Sequence, residues 1–234
     1  LQPFWKRQRR LKKKLAWCAF WHDYKIEKKG YLFFYSIYDK FFNFLYKKSD
    51  LHLVVSEYES KKISTPNKAK KIRLPTIFQS DENELNQSRN IDVLIPGRDV
   101  PHKRFKLIRD ICVELDLKFV ETNSDILSEE DLRKAYLSSK YILVPSLYES
   151  YSYVTLEGMC CGCNVLVSDH VMIKDNLKGY KNFKVLNSEK WEPKIVKRIL
   201  STFPPNNQNI SNALKIQKEF SISSCKKDFL DTLN

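Results

Sequence analysis

The feature that most constrains this chain is an alternation of apolar and amphipathic segments running from residue 91 to residue 186. "IDVLIPG" (91–97) is an apolar run of strand length. "FKLIRDICVELD" (105–116) then spaces Leu107, Ile108, Ile111, Cys112 and Leu115 as one face of a helix. "LKFVET" (117–122) is the next strand, and "SEEDLRKAYLSS" (128–139) the next helix, with Ser128 as its N-cap. "YILVPS" (141–146), "TLEGMCCG" (155–162), "NVLVSD" (164–169) and "FKVL" (183–186) continue the series. Strand and helix in turn, at these lengths, predict an α/β fold: a Rossmann-like parallel sheet covered by helices on both faces. In such sheets ligands bind beyond the strand C-termini, beside helix N-termini. Three conspicuous segments fall there: "GRDVPHKR", "SLYESYS" and "SDHVMIKDN".

The flanks are less regular. "LAWCAFW" (15–21) reads as a strand ending at His22 and Asp23, and residues 31–50 as a helix that is almost apolar all round. "LHLVVS" (51–56) is a strand, with Ser56 capping a helix over 57–63. "QSDENELNQSRN" (79–90) is polar, lacks apolar periodicity and reads as a linker. Helices are expected over 188–203 and 209–221, followed by a last turn and a short packing helix. The expected division is therefore a partial or minimal N-terminal domain (1–88), a Rossmann-like domain (89–203), and C-terminal helices (204–234) able to cross back to the first domain.

The formal charge of +13 favours anionic partners: nucleic acid, an acidic membrane surface or a phosphorylated small molecule. Nucleic acid is disfavoured, because no zinc-finger spacing or RNA-recognition motif is present. The cysteines at 18, 112, 160, 161, 163 and 225 form no spaced disulfide framework, which points to a reducing, cytoplasmic compartment. The three at 160–163 are too crowded for a zinc site and read as small buried residues. No apolar stretch reaches the roughly 18 residues of a spanning helix. Instead, the basic cluster within 6–14, ahead of the aromatic 31–46 segment, predicts peripheral contact with an anionic membrane.

The candidate site rests on two pairs. Arg98 and Lys103 follow the strand at 91–97, where fixed cations suit a phosphate. Glu149 lies on the loop after the strand at 141–146, and Glu157 lies in the helix after it. Carboxylates accept hydrogen bonds from vicinal hydroxyls, as a ribose or a sugar offers them. Taken in this order, Gly97, Arg98, Lys103, Glu149, Glu157 and "GMCCGCNVLVSD" resemble the donor-binding domain of a GT-B glycosyltransferase. The family is the retaining "glycosyl transferases group 1", or glycosyltransferase family 4-like. "FWHDYK", "DLHLVVSEYESKKI" and the tail residues Phe220, Ser221 and Ile222 resemble other parts of the same family, so that most of residues 15 to 225 match. The front of that family's acceptor domain has no counterpart. The chain does not begin with Met, and a shortened or truncated N-terminal domain is expected.

The resemblance implies transfer of a sugar from a nucleotide-diphosphate sugar, with retention of anomeric configuration, without metal and without a protein nucleophile. It implies that Arg98 and Lys103 hold the diphosphate, Glu149 the donor sugar and Glu157 the ribose. Ser150, Tyr151, Ser152 and Tyr153 belong to the same donor-binding run. Glycines commonly occupy the positions of Ser150 and Ser152, so a functional variant and a weakened site both remain open. His22 would face the cleft near the transferring sugar. No cofactor is expected beyond the nucleotide sugar, and the acceptor would be a glycan or a lipid-linked molecule. The alternatives are a non-catalytic GT-B-like binding protein and a nucleic-acid-binding protein.

Overall fold

The computed structural model describes residues 15–17, 44, 47–62, 65–122 and 127–233. His22, the basic cluster within 6–14 and most of the 31–46 segment lie outside them. The chain divides into two compact units: residues 1–74 with 226–234, and residues 75–225.

In the first unit β1 (Leu15–Trp17), β2 (Leu51–Val54) and β3 (Ala69–Lys71) form a parallel sheet in that order. β2 is buried along its whole length, as an apolar central strand requires. Ser56 caps α1 (Glu57–Lys62) as expected, its Oγ accepting from the Glu59 amide at 3.2 Å. The Glu59 carboxylate reaches back to accept from the Val55 amide at 2.8 Å. Arg73 pairs with Asp228 at 2.6 Å, tying the end of the chain to this unit.

The second unit opens with a one-turn helix, α2 (Glu82–Leu85), inside the segment that reads as a linker. Asp81 and Glu84 form a reciprocal capping box, Leu85 is buried beneath it, and Arg133 pairs with Glu84 at 2.8 Å. One apolar residue is too few for a periodicity; the signal lay in the Asp-x-x-Glu spacing.

The sheet that follows has five strands, all parallel: β4 (Ile91–Pro96), β5 (Phe119–Thr122), β6 (Ser139–Val144), β7 (Asn164–Ser168) and β8 (Phe183–Leu186). Their spatial order is β5-β4-β6-β7-β8. On one face Val93, Ile95, Leu143 and Leu166 meet α3 (Phe105–Glu114) and α7 (Pro193–Leu200) through Ile108, Ile111 and Val196. On the other lie α4 (Glu129–Leu137), α5 (Tyr153–Cys160) and α8 (Ile210–Glu219). α5 approaches β6 so closely that a Cβ on Gly158 would lie 2.8 Å from Ile142 Cγ1. Helix α6 (Lys174–Leu177) is one turn long, and α9 (Ile222–Leu233) closes the chain as a full helix. Cys160, Cys161 and Cys163 are all buried, and burial pushes their thiols up, which keeps them neutral. Among the described residues, no helix is long and apolar enough to cross a membrane.

Candidate functional site

The strand order fixes where a ligand can sit. After β4 the chain turns outward to β5, then returns to lay β6 on the opposite side of β4. The loops that follow β4 and β6 therefore diverge over a crevice, the switch point at which open α/β sheets bind their ligands. Both candidate pairs lie on these two connections.

Four loops are knitted together there. The Leu147 amide donates to the His102 carbonyl at 2.8 Å, and the His102 ring stacks on Tyr148 with centroids 4.9 Å apart. Glu149 forms a parallel bridge with Val171: its amide donates to His170 O at 2.9 Å and its carbonyl accepts from Met172 N at 2.8 Å. Ser168 Oγ donates to the Ser146 carbonyl, and the Asp169 carboxylate accepts from the Ser188 amide at 2.8 Å. The loop bearing Glu149 is thus held from both sides.

Gly97 ends β4 with φ +101°, in the region that favours glycine, and its amide donates to Thr122 O at 2.9 Å. A Cβ there would lie 3.3 Å from Lys103 Nζ. Lys103 is half-buried, and among the described residues its ammonium makes no hydrogen bond or close ion pair. Arg98 is exposed and is likewise without such a partner among the described residues. Arg104, the cation beside Lys103, is engaged elsewhere, donating to Ser188 O at 2.8 Å.

Glu149 and Glu157 are both half-buried. Burial pushes the Glu149 carboxyl up, while the charge of Lys103 and the hydroxyls of Ser152 and Ser146 hold it back. Burial also pushes Glu157 up. A hydrogen bond from Tyr136 opposes that shift, Glu129 adds to it, and Lys103 again opposes it. One ammonium therefore acts on both carboxylates. Pro96, Lys103, Val144, Ser146, Glu149 and Val154 line a small hollow between the two loops.

The run between the glutamates is ordered by α5. Ser152 is its buried N-cap, accepting from the Thr155 amide at 3.3 Å and the Thr155 hydroxyl at 2.9 Å. Its φ of −99° and ψ of 100° are open to any residue, and Ser150 is not among the positive-φ positions either. Tyr151 is buried and Tyr153 exposed, their rings edge to face at 5.3 Å. Among the described residues, no three His, Cys, Asp or Glu side chains gather as metal ligands would.

Sequence reasoning missed Tyr136, whose hydroxyl donates to Glu157 Oε2 at 2.9 Å. On the amphipathic α4 a tyrosine reads as core, and its ring is in fact fully buried. Only its polar tip hints at more, because a buried phenol needs a partner.

Residues 126–213, which include both glutamates, match the family model of glycosyl transferases group 1. An uncharacterized glycosyltransferase of Methanocaldococcus jannaschii is 27% identical over 127 residues, covering 52% of this chain and 32% of that protein. The chain therefore spans about a third of the length of this curated relative. Among solved structures, sucrose-phosphate synthase of Thermosynechococcus elongatus aligns with a TM-score of 0.72 at 14% identity, covering 97% of this chain and 69% of that one. TarM of S. aureus, in complex with UDP among other ligands, aligns with a TM-score of 0.63 at 16% identity, covering 84% and 46%. HepE of Anabaena in complex with UDP-glucose gives 0.62 at 14%, covering 94% and 71%. At these identities the likeness is one of fold, and the fold is that of the GT-B glycosyltransferases.

Proposed function

We propose, from the match of residues 126–213 to the glycosyl transferases group 1 model, that this chain transfers a sugar from a nucleotide-diphosphate sugar to an acceptor hydroxyl. The observation that carries the reading is the convergence of Lys103 with Glu149 and Glu157 at the β4/β6 switch point. A cation and two acceptor-only carboxylates, on separate loops of one crevice, suit a ligand with anionic phosphates between two hydroxyl-bearing rings.

The roles follow from position. Lys103, over the end of β4, and Arg98 beside it meet the diphosphate and stabilise the charge that builds on it as it leaves. Glu149, on the loop before α5, accepts from the sugar hydroxyls. Glu157, in the second turn of α5, accepts from the ribose. The family match supports retention. The acceptor oxygen bonds to the anomeric carbon on the face from which the diphosphate departs, and the bond from that carbon to the phosphate oxygen breaks. The acceptor's proton passes to the departing phosphate, so that no nucleophile is required of the protein. The neighbours TarM and HepE, with UDP and UDP-glucose, make uridine nucleotides the first to try.

Calorimetry on two variants tests the assignment without knowledge of the acceptor. Glu157→Ala should weaken UDP and UDP-glucose alike, because both carry the ribose. Glu149→Ala should weaken only UDP-glucose. Loss of a charge-assisted hydrogen bond corresponds to roughly ten- to a hundredfold in affinity. Equal losses for both ligands in both variants would refute the assigned roles. If wild type binds none of the UDP-, GDP- and ADP-linked hexoses, the reading falls altogether.

A further inference from the structure

We propose that Tyr136 is a positioning residue for the nucleotide: by holding one oxygen of Glu157 from the protein interior, it presents the rest of that carboxylate to the ribose. The inference rests on the donor-site reading above.

Tyr136 is itself fixed. It is fully buried near the end of α4, with its ring edge to face against Phe78 at 5.6 Å and 76°. Its carbonyl accepts from Arg89 Nη1 at 3.3 Å and from Cys163 Sγ at 3.2 Å. The same guanidinium donates to the carbonyls of Ser139 at 2.5 Å and Cys161 at 2.7 Å, so the end of α4, the start of β6 and the end of α5 share one anchor. The phenol therefore points from a rigid frame, and it spends its proton on Glu157 Oε2 at 2.9 Å.

Glu157 needs such an anchor. A glutamate has three rotatable bonds, and freezing them on ligand binding would cost affinity. With Oε2 already tethered, that ordering is complete before the nucleotide arrives. Tyr136 takes one lone pair, and the carboxylate retains acceptor sites for a pair of vicinal hydroxyls. The contact also bears on charge. Lys103 beyond β4 and Glu129 and Tyr136 on α4 act on Glu157, and Glu157 in turn raises the neutral Tyr153 and Cys160 on α5 and Cys161 just after it. Tyr136 and Lys103 favour the ionised form of Glu157 against burial and Glu129. Only that form is an acceptor at both oxygens.

The test is a double-mutant cycle. Wild type, Tyr136→Phe, Glu157→Gln and the double variant are titrated with UDP, ADP and GDP between pH 5 and pH 8. For whichever diphosphate wild type binds most tightly, Tyr136→Phe should lose about tenfold in affinity. In the Glu157→Gln background the same change should cost less than about twofold. Tyr136→Phe should also lose its ligand at a higher pH on acidification than wild type does, because the donor favouring the carboxylate is gone. Equal losses in both backgrounds would make Tyr136 merely structural and overturn the inference, as would wild-type affinity and pH profile in Tyr136→Phe. A harmless Glu157→Gln, or no diphosphate bound by wild type, overturns the donor-site reading and this inference with it. If Tyr136→Phe does not fold, Tyr136→3-fluorotyrosine replaces it, keeping the ring while making the phenol a stronger donor. Ligand loss should then move to lower pH, and an unmoved profile overturns the inference.

Discussion

A Cβ atom on Gly97 would stand 3.3 Å from Lys103 Nζ, so the bare backbone of one residue is the floor on which the charge of the other rests. Two constraints coincide at Gly97: a φ of +101°, where any side chain is strained, and this close approach, which a Cβ would relieve only by shifting the lysine's flexible end. Gly97→Ala should therefore cost roughly 1–3 kcal/mol of stability, read by urea unfolding. It should also displace the ammonium and weaken UDP several-fold while leaving uridine unaffected. Unchanged UDP affinity would detach Lys103 from the phosphates.

Lys103 favours the ionised form of both Glu149 and Glu157. Lys103→Met should then do two things at once. UDP affinity should fall by about ten- to a hundredfold through the lost contact to phosphate. On acidification, the remaining affinity should be lost at a higher pH than in wild type, because both carboxyls now protonate more readily. A uniform loss with an unmoved pH profile would mean that the lysine acts on the phosphates alone.

Burial raises the Glu157 carboxyl despite Tyr136 and Lys103, so the folded protein holds that proton more tightly than the unfolded chain does. Above the folded pKa the ionised group burdens the fold, and the burden disappears as pH falls through that value. Glu157→Gln should accordingly be more stable than wild type at pH 7, with no gain at pH 4, where both side chains are neutral. Thermal unfolding at the two pH values checks this. A variant less stable at pH 7 would mean that the carboxylate's partners outweigh its desolvation.

The sheet was legible because its central strands β4, β6 and β7 carry apolar runs, with an amphipathic segment between most of its strands, a pattern that a doubly covered parallel sheet absorbs. Leu94 pairs with Val120 on one side and Ile142 on the other, and such a position tolerates no polar face. Glu149 and Glu157 stood out as acids on a connection after a buried strand. Tyr136 did not, because periodicity reports which face a residue occupies and is silent about where a hydroxyl ends. Leu85 failed for the opposite reason: α2 is held by a capping box and one buried side chain, below the length at which a period exists. The meeting of Lys103 with both glutamates depends on strand order, which no local window contains.

Gly158 offers a test of packing rather than chemistry. A Cβ there would fall 2.8 Å from Ile142 Cγ1, across the interface of α5 with β6. Gly158→Ala gains helix propensity of about 1 kcal/mol, but the overlap forces the helix or the isoleucine to move, at roughly 1–3 kcal/mol. Net destabilisation is expected in urea unfolding, and Gly158→Ala should cost less in an Ile142→Ala background, where the overlapping Cγ1 is gone. An alanine as stable as glycine would show that α5 yields at this point.

Ser152 stands where the resemblance to the glycosyltransferases leads one to expect glycine, and its geometry argues that the serine has taken on work of its own. At φ −99° and ψ 100° no glycine-only conformation is required. The hydroxyl caps α5 through Thr155, and it is one of the groups that hold Glu149 toward the ionised form. Ser152→Ala should cost about 1 kcal/mol as a lost cap, and Ser152→Gly only a few tenths, so the pair separates capping from chemistry. Both remove the hydroxyl beside Glu149, and in both UDP-glucose should be lost at a higher pH on acidification while UDP keeps its wild-type profile. The opposite outcome is equally informative. If Ser152→Gly binds both ligands more tightly at every pH, the hydroxyl obstructs the approach of the diphosphate, and the serine marks a donor site in retreat.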